Sequence, residues 1–558
     1  MIIPYTSLPG WSNLFLDYIK NFRRVSAFYG KGYDKEGLFK SVTEKKKNYN
    51  SGKINREELA EILKTQNKFF NSHKSAFKNI ELIRENDTFA IVTGQQIGML
   101  TGNLYTVVKA LNAVQLSKKL SKQFPEFNFV PVFWLESDDH DFLEINNINI
   151  ADKQNNPANI KYFEKDAEKE RYLTPTGRIA LDASINGFIS RIRENLAETE
   201  FTETLFDFIS RSYKEGIDLA TAFARFFNYI SGDIGMVFIN PSDKEIKNLL
   251  IPVFEKELNN FPKTSEIVIN TSAELERLYE PQVKPRAINL FYAYNDNRHL
   301  IEPKDLGFSL RNTRQKFGKN ELFELLYTNP ENFSANVILR PVCQDFLLPT
   351  VAYVAGPSEI AYFAQLKDVY EFFNVTMPVI FPRTTVTLAE RRIVNFTEKY
   401  DLGFEDLFDE QLVTSKIAGK ISEISAENLF SNYIDEMNAL MYKLNLELGS
   451  IDKNLTNTLK SKFDRYVENL AFIRQKFVDS QIKQNDFLLK KIKSVLSIIY
   501  PEDTYQERYY NIISFINKYG FDLIPGLLNR IDIDKYGHQI VGLETEEIED
   551  TVNLFGSS

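Results

Sequence analysis

The sequence predicts an α/β protein in which a doubly wound parallel sheet is joined to an antiparallel helical arm. Three observations carry this. Over roughly the first 380 residues, short apolar runs ending in glycine or acidic residues alternate with helical patterns, as in a parallel sheet with crossover helices. Between Pro382 and Pro501 there is no proline to break a helix. Within that span apolar residues step by three or four, from Met437 through Met441, Leu444, Leu448, Ile451, Leu455, Leu459, Phe463, Tyr466, Leu470 and Ile473 to Phe477. That is the stripe of a coiled coil.

Each element follows from local chemistry. Met1-Ile2-Ile3-Pro4-Tyr5 has no basic region and no continuous apolar stretch, so it does not read as a secretory signal. Residues 40–85 read as a separate charged helical pair. Phe89–Val92 is the first core strand and runs into Thr93-Gly94-Gln95-Gln96, followed by a helix from about Tyr105 to Leu120. Phe129–Leu135 is the second strand and runs into Glu136-Ser137-Asp138-Asp139-His140. Met236–Ile239, Thr350–Ala355 and Pro378–Phe381 are the third to fifth. The apolar stripe is interrupted at Leu448-Gly449-Ser450-Ile451-Asp452. Gly449 suits a C′ position and Ser450 or Asp452 an N-cap, so two antiparallel helices are expected rather than one rod. An ordinary helical bundle is the alternative. The division is a core over 1–385 with insertions at about 151–230 and 260–335, a helical coiled-coil domain over 386–500, and a C-terminal segment, 501–558, packing back on core or arm.

Composition narrows the function. The chain has 558 residues, 43% of them hydrophobic, enough for a buried core. With 67 Lys and Arg against 76 Asp and Glu, the net charge is −9, a poor basis for nucleic-acid binding. No apolar run is long enough to span a membrane. A single cysteine, Cys343, excludes an internal disulfide framework and a cysteine zinc cluster, and fits a reducing, cytoplasmic setting. Neither haem, flavin nor an Fe–S cluster is expected.

Ligands of open α/β sheets bind beyond the carboxyl ends of the strands, and there the sequence places its reactive groups. The first loop holds Gly94, Gln95, Gln96, Gly98, Thr101, Gly102, Asn103 and Thr106. Its glycines permit close backbone approach, and the following helix favours an anion that Lys109 can reach. It matches neither G-x-G-x-x-G nor a Walker A motif. The second loop crowds Glu136, Asp138, Asp139, Asp141 and Glu144 around His140. Such carboxylates raise one another's pKa unless an ammonium, a proton or Mg²⁺ joins them. With a helix starting near Asp139, His140 and Glu144 share a face, and His140 becomes a candidate general base for an incoming amine. A solvated helix cap is the alternative. Ser358 or Glu359, in Gly356-Pro357-Ser358-Glu359, can cap a helix and face the cleft. Arg383 suits a carboxylate or phosphate, or a structural ion pair. Cys343 reads as a strand-edge packing residue rather than a nucleophile.

Taken in order, Phe28-Tyr29, Thr93–Thr106, Trp134–Asp141, Ala355–Glu359, Met377-Pro378, Pro382-Arg383, Gln506-Glu507-Arg508 and Asn511 resemble the bacillithiol biosynthesis cysteine-adding enzyme family, BshC. The match covers nearly the whole chain. One departure is Asn103, where the family usually has proline. The resemblance implies a Rossmann-like core with connecting insertions and a coiled-coil domain. It implies a ligase joining L-cysteine to glucosaminyl-malate by an amide, the last step of bacillithiol synthesis. Trp134, Glu136, Ser137, Gly356, Pro357, Ser358, Glu359 and Arg383 join the first loop and Lys109 as expected substrate or nucleotide contacts. Asp138, Asp139, His140 and Asp141 are the expected catalytic group. ATP/ADP is the expected nucleotide on thermodynamic grounds, Mg²⁺ is the candidate metal, and a homodimer through the arm is expected. The His-Ile-Gly-His and Lys-Met-Ser-Lys-Ser signatures of class I synthetases are absent. The rival reading is a non-catalytic ligand-binding or scaffold protein whose arm recruits a partner.

Overall fold

A computed structural model describes residues 1–49, 54–162, 173–421, 426–483 and 486–543. The chain forms two units. One joins Met1–Thr387 to Glu507–Val541, and the other begins at Leu388–Gln506 and resumes at Gly542.

All five expected core strands form one parallel sheet in the first unit. They are β1 (Thr88–Gln96), β2 (Asn128–Glu136), β3 (Val237–Ile239), β4 (Thr350–Ala355) and β5 (Val379–Pro382), in the order β5-β4-β1-β2-β3. Buried on both faces, such strands are continuous apolar runs, which is why they are legible. The chain starts in the middle, adds β2 and β3 on one side, then crosses to add β4 and β5 on the other. The switch point therefore lies between β1 and β4, where a crevice opens. Helix α1 (Leu104–Gln123) follows β1 and packs on the sheet, and the shorter α2 (Pro357–Phe363) follows β4.

Several boundaries differ from expectation. Thr93–Gln96 is not loop but the end of β1, with Gly94 opposite Trp134 and Gln96 opposite Glu136. The cross-strand ladder outweighs the low strand propensity of glycine and glutamine. Residues 40–85 are not a separate pair. The described residues of this stretch fall mainly in three helices, Lys35–Tyr49, Arg56–Phe69 and Lys74–Ile83, whose Leu38, Val42, Leu59, Leu63 and Ile80 are buried. Ser41 ties the first of these to β4 by donating to the Val351 carbonyl at 2.7 Å. Cys343 lies in a helix, Arg340–Leu347, not at a strand edge. Within 260–335 the polar sequence hides a five-stranded antiparallel sheet running from Leu290–Tyr294 to Phe333–Ala335.

In the second unit, α3 (Ala426–Gly449) and α4 (Lys453–Lys483) form the expected hairpin. Phe430, near the start of α3, meets Phe477, near the end of α4, at 6.3 Å, so the helices run antiparallel. Asp452 caps α4 by accepting from the Asn454 amide at 2.8 Å. The single stripe read from the sequence divides here. Met437, Met441, Leu459, Phe463 and Leu470 are half-buried, while Ile451, Leu455, Tyr466 and Ile473 are exposed. A helix of 3.6 residues per turn drifts off a 3.5-residue repeat, and a straight pair cannot cover the whole stripe.

Candidate active site

A cavity of about 610 Å³ opens in the first unit beyond the carboxyl ends of the core strands, a size suited to small ligands. Gly94, Gln95 and Gln96 reach it from the end of β1, and Glu136 from the end of β2. Asp139, His140 and Glu144 come from the following loop, and Gly356, Ser358 and Glu359 from the start of α2. Lys109 and Arg383 also line it.

Several of the charges on and behind these walls are matched in pairs. Lys109, fully buried, donates to the Gly94 carbonyl and to Glu359, both at 2.6 Å. Glu359 also accepts from the Gly356 amide and the Tyr353 hydroxyl at 2.7 Å, closing the first turn of α2. Burial would raise the Glu359 pKa, but the Lys109 ammonium prevails and holds it below the ordinary carboxylate value. Arg383 pairs bidentately with buried Glu507 at 2.6 and 2.9 Å, so it makes the structural ion pair of the two sequence readings. Asp138 meets buried Lys247 at 2.5 Å and Ser242 at 2.9 Å. Asp139 lies 3.5 Å from Arg298 and accepts from Gln96 at 2.5 Å. Glu136 lies 3.5 Å from Arg340.

The acidic run therefore does not wait for an outside cation. Arginine and lysine of the chain fill that role. Asp139, far from being raised by its neighbours, titrates below the usual value: Arg298 and the hydrogen bond from Gln96 outweigh its burial. Among the described residues, no three His, Cys, Asp or Glu side chains come together to hold a metal. The donor set does not fit a protein-caged Mg²⁺. Glu136 behaves differently. Burial raises its pKa to about 7, with Asp138 and Asp139 adding to the rise and Arg340 opposing it.

Other expected contacts lie elsewhere. Trp134 and Ser137 are buried beneath the site, Ser137 bonding Asn240 at 2.5 Å. Asp141 is exposed and caps a four-residue helix, Phe142–Ile145, so the helix does not start near Asp139 and the shared-face argument for His140 and Glu144 fails. Both residues reach the cavity all the same. Pro357 is buried at the first turn of α2. Cys343 is buried, and burial pushes its thiol far above the ordinary range, which makes it inert as a nucleophile.

Gly98, Thr101, Gly102 and Asn103 form a tight turn beside the cavity rather than its wall, and Thr106 lies in the first turn of α1. Leu100, Thr101 and Gly102 have φ of 51°, 73° and 67°, and a Cβ at Gly98 would lie 2.9 Å from the Gly102 Cα. Left-handed backbone at non-glycine residues is costly and needs support. Asn511 supplies it: the two hydrogens of its side-chain amide are shared among the carbonyls of Met99, Leu100 and Gly102, at 3.2, 3.0 and 2.7 Å from the nitrogen. Asn103, in place of the family's proline, donates to the Arg508 carbonyl, which ties the turn to the same segment. Asn511→Ala is expected to cost roughly 2–4 kcal/mol, about 1 kcal/mol for each lost bond, read as a lower denaturant midpoint. A loss below half that range would show that the turn holds itself.

The sequence reading missed Lys247, buried behind Asp138, and on the cavity wall Arg298, Arg340, Lys284, Arg286 and Arg508. No acidic side chain among the described residues pairs with these last three. Only the Glu507-Arg508 motif pointed toward any of them.

Comparison with known proteins agrees with this architecture. Residues 1–384 match the model of the BshC N-terminal Rossmann-like domain of bacillithiol biosynthesis, and 386–543 match that of its C-terminal coiled-coil domain. A protein of Salinibacter ruber named "Putative cysteine ligase BshC" is 32% identical over 97% of this chain and 98% of its own length. Proteins of the same name from Chlorobium phaeobacteroides and Flavobacterium johnsoniae are 34% and 28% identical, covering 85% and 95% of this chain and 86% and 97% of their own. With the two family models matching residues 1–384 and 386–543, the chain belongs to the BshC family of bacillithiol biosynthesis.

Proposed function

We propose that this chain is a cytoplasmic ligase that joins the carboxyl of L-cysteine to the amine of glucosaminyl-malate, the last step of bacillithiol synthesis. The observation that carries the reading is a cavity beyond the sheet of a BshC-family chain with the buried carboxyl of Glu136 in its wall, where burial raises the pKa to about 7. An amine attacking an activated acyl carbon must give up a proton, and a group with a pKa near the working pH is the efficient acceptor. In this reading the new C–N bond forms as the acyl leaving group departs, and the amine proton passes to Glu136. Lys284, Arg286 and Arg508 suit the anionic parts of the ligands, the malate carboxylates or the phosphates of a nucleotide. Condensing a free acid with an amine is unfavourable in water, so ATP is the expected co-substrate. Any Mg²⁺ would have to enter with the phosphates, since the walls offer it no cage.

Incubation with L-cysteine, glucosaminyl-malate and ATP should yield bacillithiol together with AMP or ADP. Folded protein that forms neither would favour the rival reading, a binding or scaffold protein.

We also propose that the chain dimerises through the arm. Leu440, Tyr442, Leu446 and Phe472 are each about 60% exposed or more, and exposed apolar surface of this kind marks an interface. Leu459 and Phe463 face inward, so changing them would test the hairpin instead. Leu440→Asp with Phe472→Asp should turn dimers into monomers by light scattering. Wild-type protein that is monomeric at micromolar concentration would exclude the dimer.

A further inference from the structure

The two ring nitrogens of His140 have different surroundings. Nδ1 lies 3.2 Å from Nη1 of Arg298. A guanidinium has donors only, so Nδ1 must accept with its lone pair and carries no proton. Arg298 is not free to turn away. It is buried, its Nε donates to the Ser334 hydroxyl at 2.9 Å, and its Nη2 donates to the Ala335 carbonyl at 2.6 Å. Its Cζ also lies 3.9 Å from the centre of the Phe291 ring. A neutral imidazole with a bare Nδ1 carries its proton on Nε2. The His140 side chain lines the cavity with 29% of its surface exposed. Among the described residues nothing engages Nε2.

We propose that His140 is a fixed, neutral Nε2–H hydrogen-bond donor to an oxygen of the bound ligand, and not the general base its sequence context suggests. Nδ1 is occupied by Arg298, and Nε2 already holds its proton, so neither nitrogen can accept one from an amine without breaking this arrangement. Among the described residues, the charged and titratable groups that act most on the ring are Arg298, Asp139, Asp141 and His299. Burial and Arg298 outweigh the two aspartates and keep His140 below the usual histidine pKa, hence neutral at pH 7. Naming the acceptor rests on the ligase reading: it is the acyl oxygen, which gains negative charge as the C–N bond forms. The N–H bond to it strengthens at that moment, no proton moves along it, and the amine proton leaves to a carboxylate. A preorganised donor of this kind acts where charge develops.

The test begins with full-length protein labelled with ¹⁵N-histidine. The chain has four histidines, and the spectrum of His140→Gln identifies the His140 signals by their loss. At pH 7 they should show the neutral tautomer protonated at Nε2. A signal protonated at Nδ1, or at both nitrogens, would overturn the proposal. Turnover supplies the second readout. His140→Ala should lose about 10²–10³-fold. His140→Gln, whose amide N–H stands near the place of Nε2–H, should stay within roughly tenfold of wild type. Gln no better than Ala would also overturn it. If wild-type protein shows the Nε2 tautomer yet joins no cysteine, the ligase reading fails and the tautomer assignment stands.

Discussion

Turnover by the Glu136→Gln variant is expected to fall by about 10²–10⁴-fold, the usual worth of a positioned acid or base. Glutamine keeps the shape of the side chain and a carbonyl for Arg340, but it cannot take a proton. The pH profile separates this from a packing fault. Wild-type kcat/KM should rise with pH through about 7 as Glu136 ionises, and the variant should lose that limb. Stability should move the other way. The folded carboxyl keeps its proton to about 7, whereas an ordinary glutamate releases it near 4.5. Its favourable contribution is therefore complete below that lower value and is lost as pH rises through the higher one. At pH 8 the variant should be more stable than wild type, as expected where strain serves activity. A variant that keeps both turnover and the acid limb would move the proton acceptor to another residue.

Replacing Glu359 with Gln is expected to cost about 3–5 kcal/mol, because it leaves the fully buried Lys109 ammonium without its counter-charge. The same change weakens the acceptor for the Gly356 amide and the Tyr353 hydroxyl, so the cavity edge at the start of α2 should loosen with it. Glu359 titrates below its ordinary value. Its contribution is thus full above the unfolded carboxyl pKa and is lost as pH falls through the folded one. Wild type should lose stability steeply in acid, and the variant less so. The double variant Lys109→Met/Glu359→Leu removes both charges and should recover most of the loss, since well-packed apolar replacements of buried pairs are often neutral. A single variant within 1 kcal/mol of wild type would show that water reaches Lys109.

The sequence alone determined the sheet and the arm. Five strands buried on both faces are written as apolar runs, and the hairpin is written as a heptad-like stripe with Gly449 and Asp452 at its break. These are local signals, so a local reading finds them. It also located the loops that end at the cavity, because loops following parallel strands converge at the switch point. The tertiary structure alone decided what those loops do. Asp138 finds Lys247, Asp139 finds Arg298, Glu136 finds Arg340 and Arg383 finds Glu507, each from more than 100 residues away in the chain. Nothing local distinguishes a paired carboxylate from a free one, and the antiparallel sheet that carries Arg298 is hidden in polar sequence. A charge acquires its pKa and its role from the partner across the cavity and from the water it loses on burial. Both are set only when distant segments meet.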